Sequence, residues 1–211
     1  MKSLKANNNI IRILVLLVFI GLLNSCSKQT FKNKKELQSY IQEKDNGYLQ
    51  EKTINGVQFS LLYRPTDLLV AQELKTESNK EDIERLREHY QKYIYFNLFF
   101  SANDKELLST VPKNRNEFGE MVNTLAFGMN EKVHLFTKSK DTIEMADYIY
   151  PRMYGMSNST AIMLVYPRNK EQLEGKNLNL TVEDLGISTG EVKFKIPTQI
   201  INNELKLSFN F

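Results

Sequence analysis

The sequence has one cysteine, no tryptophan, five prolines and two histidines in 211 residues. Each scarcity excludes something. A lone Cys26 cannot form an internal disulfide, so the fold must rest on its core, which a chain of this size can supply. His89 and His134 lie far apart with no acidic cluster beside either, which leaves no expected ligand set for zinc or iron. No Gly-rich loop opens a helix to hold a nucleotide phosphate, and no Asp/Asn run has calcium-loop spacing, so no cofactor is expected. No Gly-x-Ser-x-Gly and no ordered Ser, His and Asp mark a nucleophile. Surplus charge is missing too. Lys2, Lys5 and Arg12 account for the whole formal charge of +3. The rest is balanced, so the basic pI of about 8.8 is no argument for a nucleic-acid partner.

What is present begins with the leader. Lys2 and Lys5 stand before an apolar stretch that opens at Ile10, carries Arg12, and runs from Ile13 to Leu23 broken only by Gly21. That is a charged region and a hydrophobic region of signal-peptide proportions. It is well short of the roughly 20 apolar residues that span a bilayer. Leu23-Asn24-Ser25-Cys26 follows at once. This stretch resembles the lipobox of bacterial lipoproteins, with Leu23 at −3, Ser25 at −1 and Cys26 as acceptor. The resemblance covers the first 26 residues only. It implies cleavage before Cys26, a diacylglyceryl group on its sulfur, and palmitate-type acylation of the new amine. Two or three acyl chains at about 0.8 kcal/mol per buried CH₂ anchor a protein without a spanning helix. The thiolate is the nucleophile that takes the lipid. Residues 1–25 are therefore expected as signal peptide, 26–35 as lipidated cysteine and tether, and 36–211 as one β-rich domain. Ser27 is not an acidic retention signal. The expected location is the cell envelope, on the outer membrane facing the periplasm.

The hydrophobic periodicity then changes along the chain. Asn33 to Asn46 predicts a short helix: Asn33 caps, Leu37, Tyr40 and Ile41 share a face, and Gly47 ends it. Asn55-Gly56, the preferred type I′ pair, joins strands over 48–54 and 57–63. Arg64-Pro65 breaks the second strand, and a short helix with Leu68, Leu69, Ala71 and Leu74 follows. Ser78-x-x-Glu81 reads as a capping box for a further helix with Ile83, Leu86 and Tyr90 as its stripe. Aromatic-rich Lys92 to Ala102 predicts a central strand. Asn114 to Phe127 is the best helix, with Phe118, Met121, Val122 and Leu125 on one face and Gly128 at its end. From Lys132 onward the pattern is short alternating strands. The expected fold is mainly β, an Ig-like or related β-sandwich with a few short peripheral helices.

Chemistry is harder to place. Glu81-Asp82 and Glu183-Asp184 are adjacent acids, which are usually solvated; a glycosidase pair would have to come from distant strands. Asn158-Ser159-Thr160 and Asn179-Leu180-Thr181 match an N-glycosylation pattern that a bacterial lipoprotein does not use. Asp141-Thr142-Ile143 resembles an O-glycosylation sequon of some Gram-negative bacteria. The stretch Tyr148 to Met156 mixes Tyr, Arg and Met, the residue types enriched at interface hot spots. Tyr150, Arg152, Met153 and Tyr154 are its candidate partner-binding residues, against the alternative that the tyrosines and methionines fill a core. Tyr63-Arg64-Pro65 and Tyr166-Pro167-Arg168 place two more arginines at strand ends. The expectation is a non-catalytic interaction protein, held at the membrane through lipidated Cys26 and contacting an envelope protein. A carbohydrate- or lipid-binding module with clustered tyrosines is the alternative, and an envelope hydrolase the second.

Overall fold

A computed structural model describes residues 29–209 of the chain. The leader and Cys26 lie outside the described residues. Among the described residues eleven strands form three sheets, with six short α-helices around them. The expectation of a mainly β, two-sheet architecture with peripheral helices is met.

The first sheet starts at the predicted hairpin. β2 (Leu49–Ile54) and β3 (Val57–Arg64) are antiparallel, and their turn places Asn55 at φ 50° and Gly56 at φ 78°, as a type I′ turn requires. β4 (Tyr93–Ala102) is the middle strand of the order β2-β3-β4-β8-β7, completed by β8 (Thr160–Pro167) and β7 (Asp147–Ile149). The second sheet has the order β10-β9-β5-β6, from β10 (Val192–Pro197), β9 (Asn177–Val182), β5 (Val133–Phe136) and β6 (Thr142–Ile143). Both sheets are antiparallel throughout.

One apolar core lies between them. Phe59, Leu61, Phe96, Leu98, Phe100, Ile162 and Leu164 come from the first sheet, and Val133, Leu135, Leu178, Leu180, Val182, Val192, Phe194 and Ile196 from the second. The period-2 alternation puts these on one face of each strand. The two sheets are stitched along one side. The Gln50 side chain donates to the Lys195 carbonyl at 2.8 Å and accepts from the Lys195 amide at 3.3 Å. Asn55 in the hairpin donates to the Ser188 carbonyl at 2.6 Å.

Helices cap the ends. α1 (Lys34–Gln42) is capped by Asn33, as expected, but stops before a 3₁₀ turn over Lys44–Asn46, and Gly47 at φ 77° closes that turn. α2 (Thr66–Glu73) has Thr66 to Val70 all buried. α3 (Lys80–Tyr90) carries a capping box one residue later than the sequence reading: Asn79 and Asp82 form it, while Ser78 accepts from the Lys75 amide. Asn satisfies the N3 amide as well as Ser does, so the motif slides without loss. α4 (Leu107–Thr110) and α5 (Arg115–Phe127) follow β4, α5 being capped by Asn114. α6 (Thr198–Asn202) interrupts the stretch read as all strand.

A small parallel pair joins β1 (Thr30–Phe31) to β11 (Lys206–Leu207). Of the stretch 26–35 expected as lipidated cysteine and tether, Thr30–Phe31 is thus a strand and the first helix begins at Lys34. Phe31 packs on Tyr40 with ring centroids 5.0 Å apart, and its carbonyl accepts from the Ser208 amide at 2.8 Å. No helix among the described residues is long and apolar enough to cross a membrane.

Candidate functional site

The segment after β7 turns outward. Pro151 to Met156 are all exposed, and Tyr154 and Met156 are each 79% exposed. Tyr154 has φ 53° and Gly155 φ 80°, and the Met156 amide donates to the Met153 carbonyl at 3.0 Å. This is a type I′ turn with tyrosine where Asn, Asp or Gly is preferred. A left-handed non-glycine residue costs about 1–2 kcal/mol, so something must hold the turn.

Glu106 holds it. This residue precedes α4 and is 3% exposed. Its carboxylate accepts from the Gly155 amide at 3.2 Å and the Ser157 amide at 3.1 Å. The base of α4 is fixed in turn, because the Leu107 amide donates to Thr160 Oγ1 at 3.0 Å. Glu106 forms no ion pair among the described residues. Charge-assisted bonds to backbone amides stabilise a buried carboxylate without a cation.

Beneath the turn runs a cleft of about 380 Å³, lined by Glu106, Leu108, Phe118, Val122, Tyr150 and Arg152, with Tyr154 on its rim. Two of these come from the α5 stripe. Met121 and Leu125 of that stripe are buried as expected, but Phe118 is 46% exposed. Half of the apolar face therefore points into the cleft. Tyr150 is half-buried in it, and its hydroxyl pKa is raised, first by burial and then by the Glu106 charge, with Arg152 opposing. Of the four candidate residues, Tyr150, Arg152 and Tyr154 are brought together, and Met153 is exposed on the same turn. Cys26 lies outside the described residues. The sequence reading missed Glu106 and the outward Phe118. Tyr154-Gly155 was the one local signal, as a turn pair.

A second concavity lies on the outer face of the five-stranded sheet, with a volume of about 740 Å³. Tyr95 of β4 is in its floor. Tyr90 and Tyr93 stand against it, with centroids at 5.8 Å and 6.4 Å and ring planes inclined by 69° and 65°. Arg64, Gln72, Glu73, His89 and Asp147 supply its polar groups. His89 is exposed there and meets Tyr90 edge-on at 5.1 Å. Burial pushes the Tyr90 and Tyr95 hydroxyls up to about 12.

The remaining charged clusters are fasteners. Arg168, read as a strand-end arginine, donates to Glu204, the Tyr63 hydroxyl and the Ile201 carbonyl. Glu183 pairs with His134 at 2.9 Å and Lys132 at 3.2 Å. Asp184 accepts from the amides of Ile187, Ser188 and Gly190 and so shapes the turn between β9 and β10. Among the described residues no group of three or more His, Cys, Asp or Glu is placed to hold a metal ion.

No family model matches the chain, and no curated protein matches it. Among solved structures it is similar to a novel protein of unknown function from Burkholderia pseudomallei, at 11% identity over 72% of this chain and 79% of that one, with a TM-score of 0.35. That likeness is too low to carry an argument about fold or activity.

Proposed function

We propose that this chain is a lipid-anchored, non-catalytic interaction protein of the cell envelope, docking an envelope protein through the Glu106-clamped turn. The observation that carries the reading is the clamp itself. A buried carboxylate is committed to two amides of a turn whose Tyr154 is both left-handed and almost fully solvent-facing. Backbone strain of this kind persists where the surroundings over-determine it, and it clusters at recognition sites. The exposed residues it gathers are Tyr, Met, Phe and Arg around an apolar cleft, the composition of an interface centre.

Anchoring rests on the lipobox pattern at Leu23 to Cys26. Two residues, Ser27 and Lys28, separate Cys26 from Gln29, whose carbonyl already accepts from the Lys206 amide at 3.0 Å. A span that short reaches about 10 Å at most. The lipid thus holds the folded domain against the membrane surface, on the outer membrane's periplasmic side.

The test is crosslinking and mass spectrometry on the full-length chain purified in mild detergent from its native membrane. A stoichiometric partner crosslinked around residues 150–156 is expected. Arg152→Ala with Tyr154→Ala should remove it while leaving the thermal midpoint unchanged. Recovery of the same partner by that double variant would refute the surface. Cys26→Ser should move the protein from the membrane to the soluble fraction, and retention in the membrane would refute the anchor.

A further inference from the structure

We propose that the tyrosine-walled concavity on the outer face of the five-stranded sheet is a binding site for an acidic saccharide, a short glycan with one carboxylate per repeating unit. Asp147 and Ile149 face this concavity, whereas Tyr150 faces the Glu106 cleft. The two assignments therefore stand or fall separately.

The argument starts from one row of side chains. Arg64, Tyr95, Val165 and Asp147 are in register across β3, β4, β8 and β7. Three inter-strand spacings put the ends of the row about 14 Å apart. A guanidinium stands at one end and a carboxylate at the other, with aromatic and aliphatic surface between. The volume of about 740 Å³ lies in the range of ligand clefts.

Arg64 is the informative residue. Its guanidinium carries five donors, and among the described residues its one hydrogen-bond partner is the neutral Gln72 side chain, at 2.8 Å. It forms no ion pair among the described residues. Burial without a counter-charge lowers its pKa, the direction expected of a desolvated cation. A ligand carboxylate would supply the missing acceptor in a planar, two-bond geometry. Glu73, which accepts from the Tyr90 hydroxyl, forms no ion pair with Arg64.

The other groups select the ligand's body. Tyr90 and Tyr93 offer apolar ring surface beside hydroxyls, which suits a sugar ring with C–H on its faces and hydroxyls at its edge. Glu73 and Asp147 accept hydrogen bonds but repel dense negative charge. With one arginine against two carboxylates, a phosphate-rich polyanion is disfavoured and a hydroxyl-rich ligand with a single acid is matched.

The test is calorimetric titration of the detergent-solubilised full chain. One probe is a tetrasaccharide of alternating glucuronate and N-acetylglucosamine. The other is a neutral tetrasaccharide of N-acetylglucosamine. The acidic probe should bind about tenfold more tightly, the gain expected of a carboxylate on a free guanidinium. Arg64→Gln should abolish that preference, and Tyr93→Ala should weaken both probes. Arg64→Lys, which keeps the charge and loses the fork, should fall between and serves if Arg64→Gln unfolds. Arg152→Ala should change neither titration. No binding of the acidic probe at millimolar concentration would overturn the proposal, as would an acidic preference that survives in folded Arg64→Gln.

Discussion

Two ends of this molecule bury carboxylates, and they treat them differently. At the end where β1 pairs with β11, each buried acid faces an arginine. Asp67 receives Arg87 through two bonds, at 2.8 and 2.7 Å, and also the Leu207 amide at 2.7 Å. Glu204 receives Arg168, the Tyr63 hydroxyl, and both the amide and hydroxyl of Thr66. At the other end Glu106 has no cation and binds two amides of an exposed turn. The first arrangement closes on itself: every donor belongs to α2, α3, β3, β11 or the β8 exit. The second spends a buried charge on shaping a loop that touches little else. Paired acids here fasten the fold, and the unpaired one presents a surface.

Breaking the fastener should produce the largest effect. Arg87→Ala leaves Asp67 buried and short of its counter-charge, which costs about 3–5 kcal/mol for a buried pair. Chemical denaturation should show the loss, and the thermal midpoint should fall by roughly 10 °C. Replacing both partners, as Asp67→Leu with Arg87→Met, should recover part of this, but not all, since the Leu207 amide would lose its acceptor. Full recovery would mean that the link to β11 contributes nothing.

Glu106→Gln should cost less, about 2 kcal/mol. One carboxylate oxygen becomes an amide nitrogen, so one of two backbone donors loses its acceptor. The sharper readout is local. Hydrogen exchange at the Gly155 and Ser157 amides should accelerate well beyond the global change, and partner crosslinking at residues 150–156 should drop. Uniform acceleration across the sheets would instead make Glu106 another fastener and erase the contrast between the two ends.

The same contrast explains which parts of the structure the sequence makes legible. Asn55-Gly56, the capping Asn114 and the aromatic run of β4 act through neighbours a few residues away, so pattern alone locates them. The partners of Glu106 are 49 and 51 residues distant, and those of Glu204 reach 141. Nothing local distinguishes these acids from solvated ones. Phe118 shows another limit. Periodicity says that it shares a face with Met121 and Leu125, not that a neighbour covers it. β1 and β11 have two residues each and α6 has five, too few for any period to appear. The tyrosines of the outer groove were visible only as separate strand and helix residues, until the end of α3 brought Tyr90 against Tyr95 of β4.

Alkaline titration separates the two ends by a smaller effect. Tyr63 is held well above the usual phenol range, chiefly by burial and then by Glu204, while Tyr150 is raised less, by burial and then by Glu106. A raised folded-state pKa favours the protonated form in the fold. Its stabilisation is complete below about pH 10 and is lost as pH climbs through the folded value. Phenolate absorbance should therefore appear at Tyr150 before any loss of structure, and at Tyr63 only with unfolding. Tyr150→Phe should lower the absorbance change that precedes unfolding by one phenolate, and an unchanged amplitude would displace Tyr150 from the cleft.

A pair of hydroxyl deletions at two fully buried tyrosines closes the series, with its smallest effect at Tyr166. The Tyr63 hydroxyl donates to Glu204 at 2.8 Å and accepts from Arg168 at 3.3 Å. The Tyr166 hydroxyl, equally buried, has no hydrogen-bond partner among the described residues. Tyr63→Phe removes a donor from a buried carboxylate and should cost about 1.5–3 kcal/mol, the range for hydrogen bonds to charged groups. Tyr166→Phe removes a polar atom that is desolvated without return, so it should be neutral or stabilising by up to about 1 kcal/mol. Both keep the ring and its packing on Phe96, so the difference isolates the hydroxyl. Equal costs at the two positions would place an unrecognised polar partner, such as an internal water, at Tyr166. The arginine–carboxylate network would then be no more demanding of its hydroxyls than the apolar core beside it.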